Sequence, residues 1–241
     1  MSDNGLVRQF VLLVLLAGCD RFLGFKDVTN GDAHVDLGGL VAYYPMDDLR
    51  PDLATCAPDQ TGHHDGMCFP SAPALVPGKH GSAYAFDGST AIAVAGAPDL
   101  DGTAGLTVAA WIALDSPAAN ADCPVNRVLG TADDDAWQIC VLTSGMYYKV
   151  FDGSVQQTLA LTLGTWHHVA LSWSPTTMKG WLDGTQVGSH LSGLMFDNQP
   201  MVFGADIDRG AATAAFHGRI DEVRIYDREL AIDEIQALAT P

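Results

Sequence analysis

An all-β sandwich of two antiparallel sheets, wound as a jelly roll, is the architecture this sequence predicts, and three observations carry it. From Gly39 onward, short apolar runs alternate with Asp, Gly, Ser and Pro punctuation at strand-like spacing. Asp-Gly occurs at 65–66, 87–88, 101–102, 152–153 and 183–184, and this dipeptide suits the type I′ turn, whose two central residues need positive φ. The acid is nearly all aspartate, with glutamate only at Glu222, Glu229 and Glu234, a composition that suits turns and depresses helix.

The elements follow in order. "LVAYYPM" is the first strand. "SAYAFDGSTAIAVAG" reads as two strands around Asp87-Gly88, and "LTVAAWIAL" and "AWQICVLT" follow. "MYYKVFDG", "HHVALSW", "KGWLDGTQVG", "MVFGA" and "HGRIDEVRIY" complete the series. The turns at 87, 152 and 183 lie directly between strand-like runs and are read as hairpins. In "AIDEIQALA", Ile232, Ile235 and Leu238 recur every third residue, which predicts one short amphipathic helix packed on the sandwich by that stripe. No tandem repeat or internal linker divides residues 39–241, so they count as one domain.

Before that domain, Phe10 to Leu16 read FVLLVLL, too short to span a bilayer and suited to the core of a secretory signal. "LLAGC" resembles the bacterial lipobox, so residues 1–19 are read as a lipoprotein signal, with Cys19 as the lipidated new N-terminus and residues 20–38 as a flexible tether. An ordinary secretory signal is the plainer alternative. Either way the chain is exported, and the lipid reading ties it to the cell envelope, periplasmic or surface-exposed. Export permits disulfides. Without Cys19, Cys56, Cys68, Cys123 and Cys140 remain, and three pairings are open. The sequence-local one joins 56 to 68 and 123 to 140, each closing a short loop worth about 3 kcal/mol. Zinc is disfavoured, because the spacings are not CxxC-like and no His sits beside them at ligand spacing.

The balance of 29 acidic against 12 basic residues, a formal net charge of −17, repels nucleic acid and anionic lipid headgroups. Membrane contact is therefore expected only through a lipid anchor. The same charge attracts cations. The sequence has no G-x-S-x-G elbow, P-loop or dinucleotide fingerprint, and no central strand carries alternating acids of the glycosidase kind, so an enzyme is not expected.

The segments "LVAYYPMDD", "GHHDG", "LVPGKHGSAYAFDGS", "LTVAAWIAL", "GTWHHVALSW", "WLDGTQVG", "HGRIDEVRIYDREL" and "IDEIQAL", in that order, resemble the laminin G-like, concanavalin A-like jelly rolls of bacterial surface proteins. The resemblance covers about residues 39–241 and implies the fold. It leaves the role open, because this fold hosts lectins, adhesion modules, structural appendages and some enzymes. Ala109 stands where many members carry a polar residue, and Ala231 where a Ser or Thr helix cap is usual, a loss of about 1 kcal/mol. The cysteine surroundings correspond to loops in the family pattern.

Strand alternation in "GRIDEVRIY" places Asp221 on the face of Val223 and Ile225, with Glu222 and Arg224 on the other. A carboxylate on a buried face needs a partner. The resemblance implies that the last strand lies beside the first and that a structural calcium can be held by carboxylates and carbonyls, with Asp221, Asp47 and Asp87 as ligands. The plain alternative is that Asp221 caps backbone N–H groups or pairs with Arg219 or Arg224. "DDD" at 133–135 is a solvated acidic turn or a binder of a cation or, through Asp134, of a sugar hydroxyl. His167 and His168 point to opposite faces, with His167 on the apolar side, so they cannot readily share a metal. Trp137, Tyr147, Tyr148 and Trp181 lie on or near loops and are candidates for sugar stacking or for core filling. The expected activity is non-catalytic recognition of a glycan or envelope polysaccharide, calcium-assisted, with Trp137, Tyr147 and Asp134 as ligand contacts. The runner-up is an adhesion module that binds another surface protein.

Overall fold

The computed structural model describes residues 37–118, 121–130, 134–158 and 160–240; Cys19 and the signal segment lie outside the described residues. The first ten strands are β1 (Leu40–Tyr44), β2 (Met67–Phe69), β3 (Ala74–Pro77), β4 (Ser82–Asp87), β5 (Ala91–Val94), β6 (Leu106–Leu114), β7 (Ala121–Leu129), β8 (Asp134–Leu142), β9 (Gly145–Val150) and β10 (Gly153–Gln157). Then come β11 (His167–Ser174), β12 (Thr177–Leu182), β13 (Thr185–Leu191), β14 (Met201–Phe203), β15 (Asp206–Asp208), β16 (Ala211–Thr213), β17 (His217–Tyr226) and helix α1 (Ile232–Leu238). All strand pairs are antiparallel. An eight-stranded sheet runs β13-β12-β11-β6-β17-β4-β3, with β1 also on β17, and a seven-stranded sheet runs β10-β9-β8-β7-β14-β5-β2. The predicted all-β sandwich with a short C-terminal helix is the observed architecture.

The core lies between the sheets. Leu106, Val108, Ala110, Ile112 and Leu114 of β6 meet Val125, Trp137, Ile139, Tyr148 and Phe203 of the other sheet. β6 is buried along its whole length, because its outer face is covered as well. Tyr148 donates its hydroxyl to the Trp181 carbonyl at 2.6 Å, a hydrogen bond from one sheet to the other. Gly180 makes room for that ring: a Cβ there would lie 2.6 Å from a Tyr148 ring carbon.

The Asp-Gly turns divide three ways. Asp183 (φ 49°) and Gly184 (φ 73°) form the expected two-residue hairpin between β12 and β13. Between β9 and β10 the loop is Phe151-Asp152, one residue early, with Gly153 already paired to Val150. Asp87-Gly88 is not a hairpin, since β4 and β5 belong to different sheets. There the Asp87 carboxylate accepts from the backbone N–H and hydroxyl of Ser89 and turns the chain from one sheet to the other.

Both disulfides adopt the sequence-local pairing, Cys56 with Cys68 and Cys123 with Cys140. Three of these cysteines lie in strands β2, β7 and β8 rather than in loops. The loop closed by the first is built on Asp59, whose buried carboxylate accepts from the N–H groups of Tyr43, Thr61, His63 and His64. In α1, Ile235 and Leu238 are buried but Ile232 is 55% exposed, so the stripe is narrower than its spacing predicts. Ala231 supplies no cap; Glu234 accepts from its N–H at 2.7 Å.

Candidate functional site

The middle of the outer face of the eight-stranded sheet is covered, and an open cleft of about 540 Å³ beside the helix is lined by Lys179, Trp181, Gln186, Arg228 and Glu229. Helix α1 places Ile235 and Leu238 over Ala109, Ala170, Trp181 and Tyr226, which explains the alanine at 109. Beside the helix, Trp111 is covered by the 78–81 loop: Lys79 Nζ sits 4.3 Å above its ring, and His80 and His168 meet the ring edge to face. His168 is the buried histidine of the pair, with its pKa lowered to about 3 by burial and by the Arg224 charge. His167 instead bonds Asp183 at 2.9 Å at the strand start.

Asp221 lies on this covered face and not toward the core. The pairing of β17 with β6 slips between Asp221 and Arg224, and Glu222 takes φ 57° at the bulge. The extra residue lets Ile220, Val223 and Ile225 all face the core, so the alternation reverses and Asp221 stands beside Trp111. Its Oδ2 accepts from the N–H groups of Lys79 and His80 at 2.8 and 3.0 Å. Its Oδ1 is buried without a partner. Burial first, then the Glu222 and Asp47 charges, push its pKa up to about 8 against the two N–H bonds. Glu222 is held by Tyr43 Oη and Arg224, while Arg219 pairs with Asp115.

Asp47 reaches the same loop and accepts from the Ser82 N–H at 2.7 Å. Glycine is required there: a Cβ on Gly78 would lie 2.7 Å from Asp221 Oδ2, and one on Gly81 2.2 Å from Asp47 Oδ1. Asp87 does not join them. It pairs with His217, four residues from Asp221 along β17, about 13 Å at strand rise. Among the described residues no three His, Cys, Asp or Glu side chains are grouped for a metal.

The outer face of the seven-stranded sheet differs. One cross-strand row runs Met67, Ala93, Val202, Asn126, Gln138, Lys149 and Ser154 from edge to edge. The next row carries Tyr147 between Cys140 and Gln156. Toward β2 the face is apolar, with Phe69, Ala91, Val128, Val202, Ala205 and Ile207 packed together. Toward β10 it is polar and accessible: Gln138, Tyr147 and Lys149 are half-buried, Ser154 and Gln156 exposed. At the boundary, Asp135 and Asp206 are buried side by side. Gln138 Nε2 donates to both, and Lys149 Nζ lies 3.7 Å from Asp135. Burial and then the Asp206 charge push Asp135 up to about 8.

All five tryptophans and six tyrosines are described, and only Trp166 and Tyr147 escape burial. The Arg219 guanidinium lies 5.3 Å from the Trp166 ring centre. Of the sequence-predicted contacts, Tyr147 therefore stands on the open face. Trp137 is 1% exposed and points into the core, because alternation in β8 sends Gln138 outward instead. Tyr148 and Trp181 are also buried. Asp134 opens β8, its side chain outside the described residues, as is Asp133; the third member of the triplet, Asp135, is buried and not a solvated turn. Lys149, Ser154 and Gln156 were missed although the alternation of "MYYKV" and "GSVQQ" marks them.

This arrangement defines a class, the lectin-like sandwich with a covered sheet and an accessible one. The chain belongs to the concanavalin A-like lectin/glucanases superfamily, in its laminin G form, matched over residues 86–236. No curated protein matches the chain significantly. Among solved structures it is similar to domain 4 of an extracellular arabinanase from Geobacillus stearothermophilus, solved with arabinotriose. The identity is 20% and the TM-score 0.61, with 83% of this chain and 98% of that one covered. It is also similar to a sialidase from Trypanosoma rangeli (15%, TM-score 0.66, 83% and 33% covered). The binding domain of Paraclostridial Mosquitocidal Protein 1 is a third (16%, TM-score 0.63, 83% and 52%). The chain thus spans about a third of the sialidase and half of the toxin domain. At these identities the likeness shows the fold.

Proposed function

We propose that the domain is a non-catalytic carbohydrate-binding module of an exported protein, and that it binds a glycan on the polar half of the outer face of the seven-stranded sheet. The observation that carries this reading is Tyr147, an accessible aromatic ring set among Gln138, Lys149, Ser154 and Gln156 on adjacent strands. A ring of this kind stacks on the apolar face of a sugar while amide, ammonium and hydroxyl groups take its hydroxyls. The arabinotriose-bound relative supports the ligand class. Absence of catalysis is part of the proposal: Asp135 and Asp206 abut and share one amide donor, whereas glycoside hydrolysis needs two carboxyls set about 5 Å or more apart around the bond. Two disulfides support export. The lipid anchor rests on "LLAGC" alone.

A calcium ion at Asp221 and Asp47 belongs to the same proposal, without Asp87. The unpartnered Asp221 Oδ1 beside a second carboxylate supports it, and backbone carbonyls and water would complete the six to eight oxygens calcium takes. The ion would brace the 78–82 loop. The test is a glycan screen of the protein and its Tyr147→Ala variant, in calcium and in chelator, with the melting temperature recorded. Glycan binding weakened about tenfold or more in Tyr147→Ala supports the module; unchanged affinity there, or no binding to any glycan, rejects it in favour of a protein partner. A fall in melting temperature on chelation that is smaller in Asp221→Asn than in wild type supports the calcium site.

A further inference from the structure

Where β15 packs on β7, the structure gathers buried oxygens of two kinds. Asp135 and Asp206 are 2% and 5% exposed, and one nitrogen, Gln138 Nε2, reaches a carboxylate oxygen of each. Asp208, whose charge acts on both, stands outside the pair and receives the Thr213 hydroxyl at 2.5 Å. The Lys149 Nζ stands 3.7 Å from Asp135.

A second kind of group points the same way. Asn126 is fully buried, faces Gln138 in the β7–β8 register, and donates its Nδ2 to the Ala205 carbonyl at 2.7 Å. That bond fixes the carboxamide next to Asp206, and its Oδ1 has no hydrogen-bond partner. Asp135 Oδ1 has none either. Two buried oxygens of different chemistry are thus left unsatisfied beside an abutting pair of carboxylates, an arrangement that is costly unless a proton or a cation sits among them.

We propose that Asp135, Asp206 and the Asn126 Oδ1 form a site for a hard divalent cation, calcium or magnesium, that pins the β15–β16 hairpin onto the seven-stranded sheet. The donors are all oxygen, carboxylate and amide, which suits hard cations and not zinc or copper. The third donor is an amide, so the site does not need a third His, Cys, Asp or Glu. It is separate from Asp221, which lies on the other sheet, and does not depend on the glycan reading.

The test is calorimetric titration of the full chain with calcium and with magnesium, paired with melting temperatures in metal and in chelator. Wild type is expected to bind a cation and to melt higher with it. Binding is expected to persist in Asp221→Asn, where the Asp221 site cannot contribute, and to be lost when Asp135→Asn and Asp206→Asn are added to that background. Asn126→Asp, which adds a carboxylate at the same place, is expected to tighten binding at least severalfold, and this variant decides the matter if the triple variant does not fold. No cation binding by wild type overturns the proposal, as does binding unchanged in the triple variant or in Asn126→Asp. Tyr147→Ala glycan binding is read separately, so the two proposals fail independently.

Discussion

The two outer faces of the sandwich begin from the same strand chemistry and end differently. On the eight-stranded sheet, the outward residues of β6 and its neighbours are Ala109, Ala170, Trp111 and Trp181, and each is covered by α1 or the 78–81 loop. On the seven-stranded sheet, the outward residues of β8, β9 and β10 are Gln138, Tyr147, Lys149, Ser154 and Gln156, and they remain accessible. The difference teaches that aromatic content does not locate a recognition site. The rings on the covered face stabilise the fold, and Tyr147, on the polar half of the other face, is the ring placed to meet a ligand.

Trp111→Ala tests the covered face with the largest effect. Truncating this buried ring is expected to cost about 3–5 kcal/mol in urea unfolding and to leave glycan affinity unchanged. A small loss would mean that the 78–81 loop is not a true cover. Next is the pH dependence of stability in chelator. Asp221 titrates near 4 when unfolded and at about 8 when folded. A raised folded pKa in an acid means that the folded state holds the proton longer. The stability that Asp221 contributes is therefore fully present below about pH 4 and is lost as pH rises to about 8, by at most about 1.4 kcal/mol per unit. Asp221→Asn should reduce the slope between pH 4 and 8, leaving the part due to Asp135, which is also raised to about 8; an unchanged slope would remove Asp221 as a source.

On the accessible face the effects shrink and change kind. Tyr147→Ala should weaken glycan binding roughly tenfold, about 1–1.5 kcal/mol, while stability stays within about 0.5–1 kcal/mol. A variant that melts much lower would show that Tyr147 is structural like Trp111. The smallest effect is expected from Ser154→Ala, about 0.5–1 kcal/mol in binding and nothing measurable in unfolding.

Much of this was legible in the sequence. Period-two runs gave β6, β9, β11 and β17, Asp183-Gly184 gave its hairpin, and the short Cys spacings matched the pairing found. Three things were not legible, each for a physical reason. The bulge at Glu222 reverses the facing of Asp221, and a non-glycine residue with positive φ carries no mark in the sequence. Asp87-Gly88 has the composition of a hairpin, but its flanking strands enter different sheets, which tertiary packing decides. Asp135 and Asp206 meet only because β15 folds back across β7, so neither residue's neighbours in sequence announce the pair.

The most direct test of the contrast between the two faces is amide chemical-shift mapping of the isotopically labelled protein, titrated with arabinotriose and with any glycan found by the screen. The account predicts saturable shifts at Gln138, Tyr147, Lys149, Ser154 and Gln156, with Trp111, Trp181 and α1 unmoved. Shifts concentrated on the eight-stranded sheet, or at Trp166 on the rim, would contradict it.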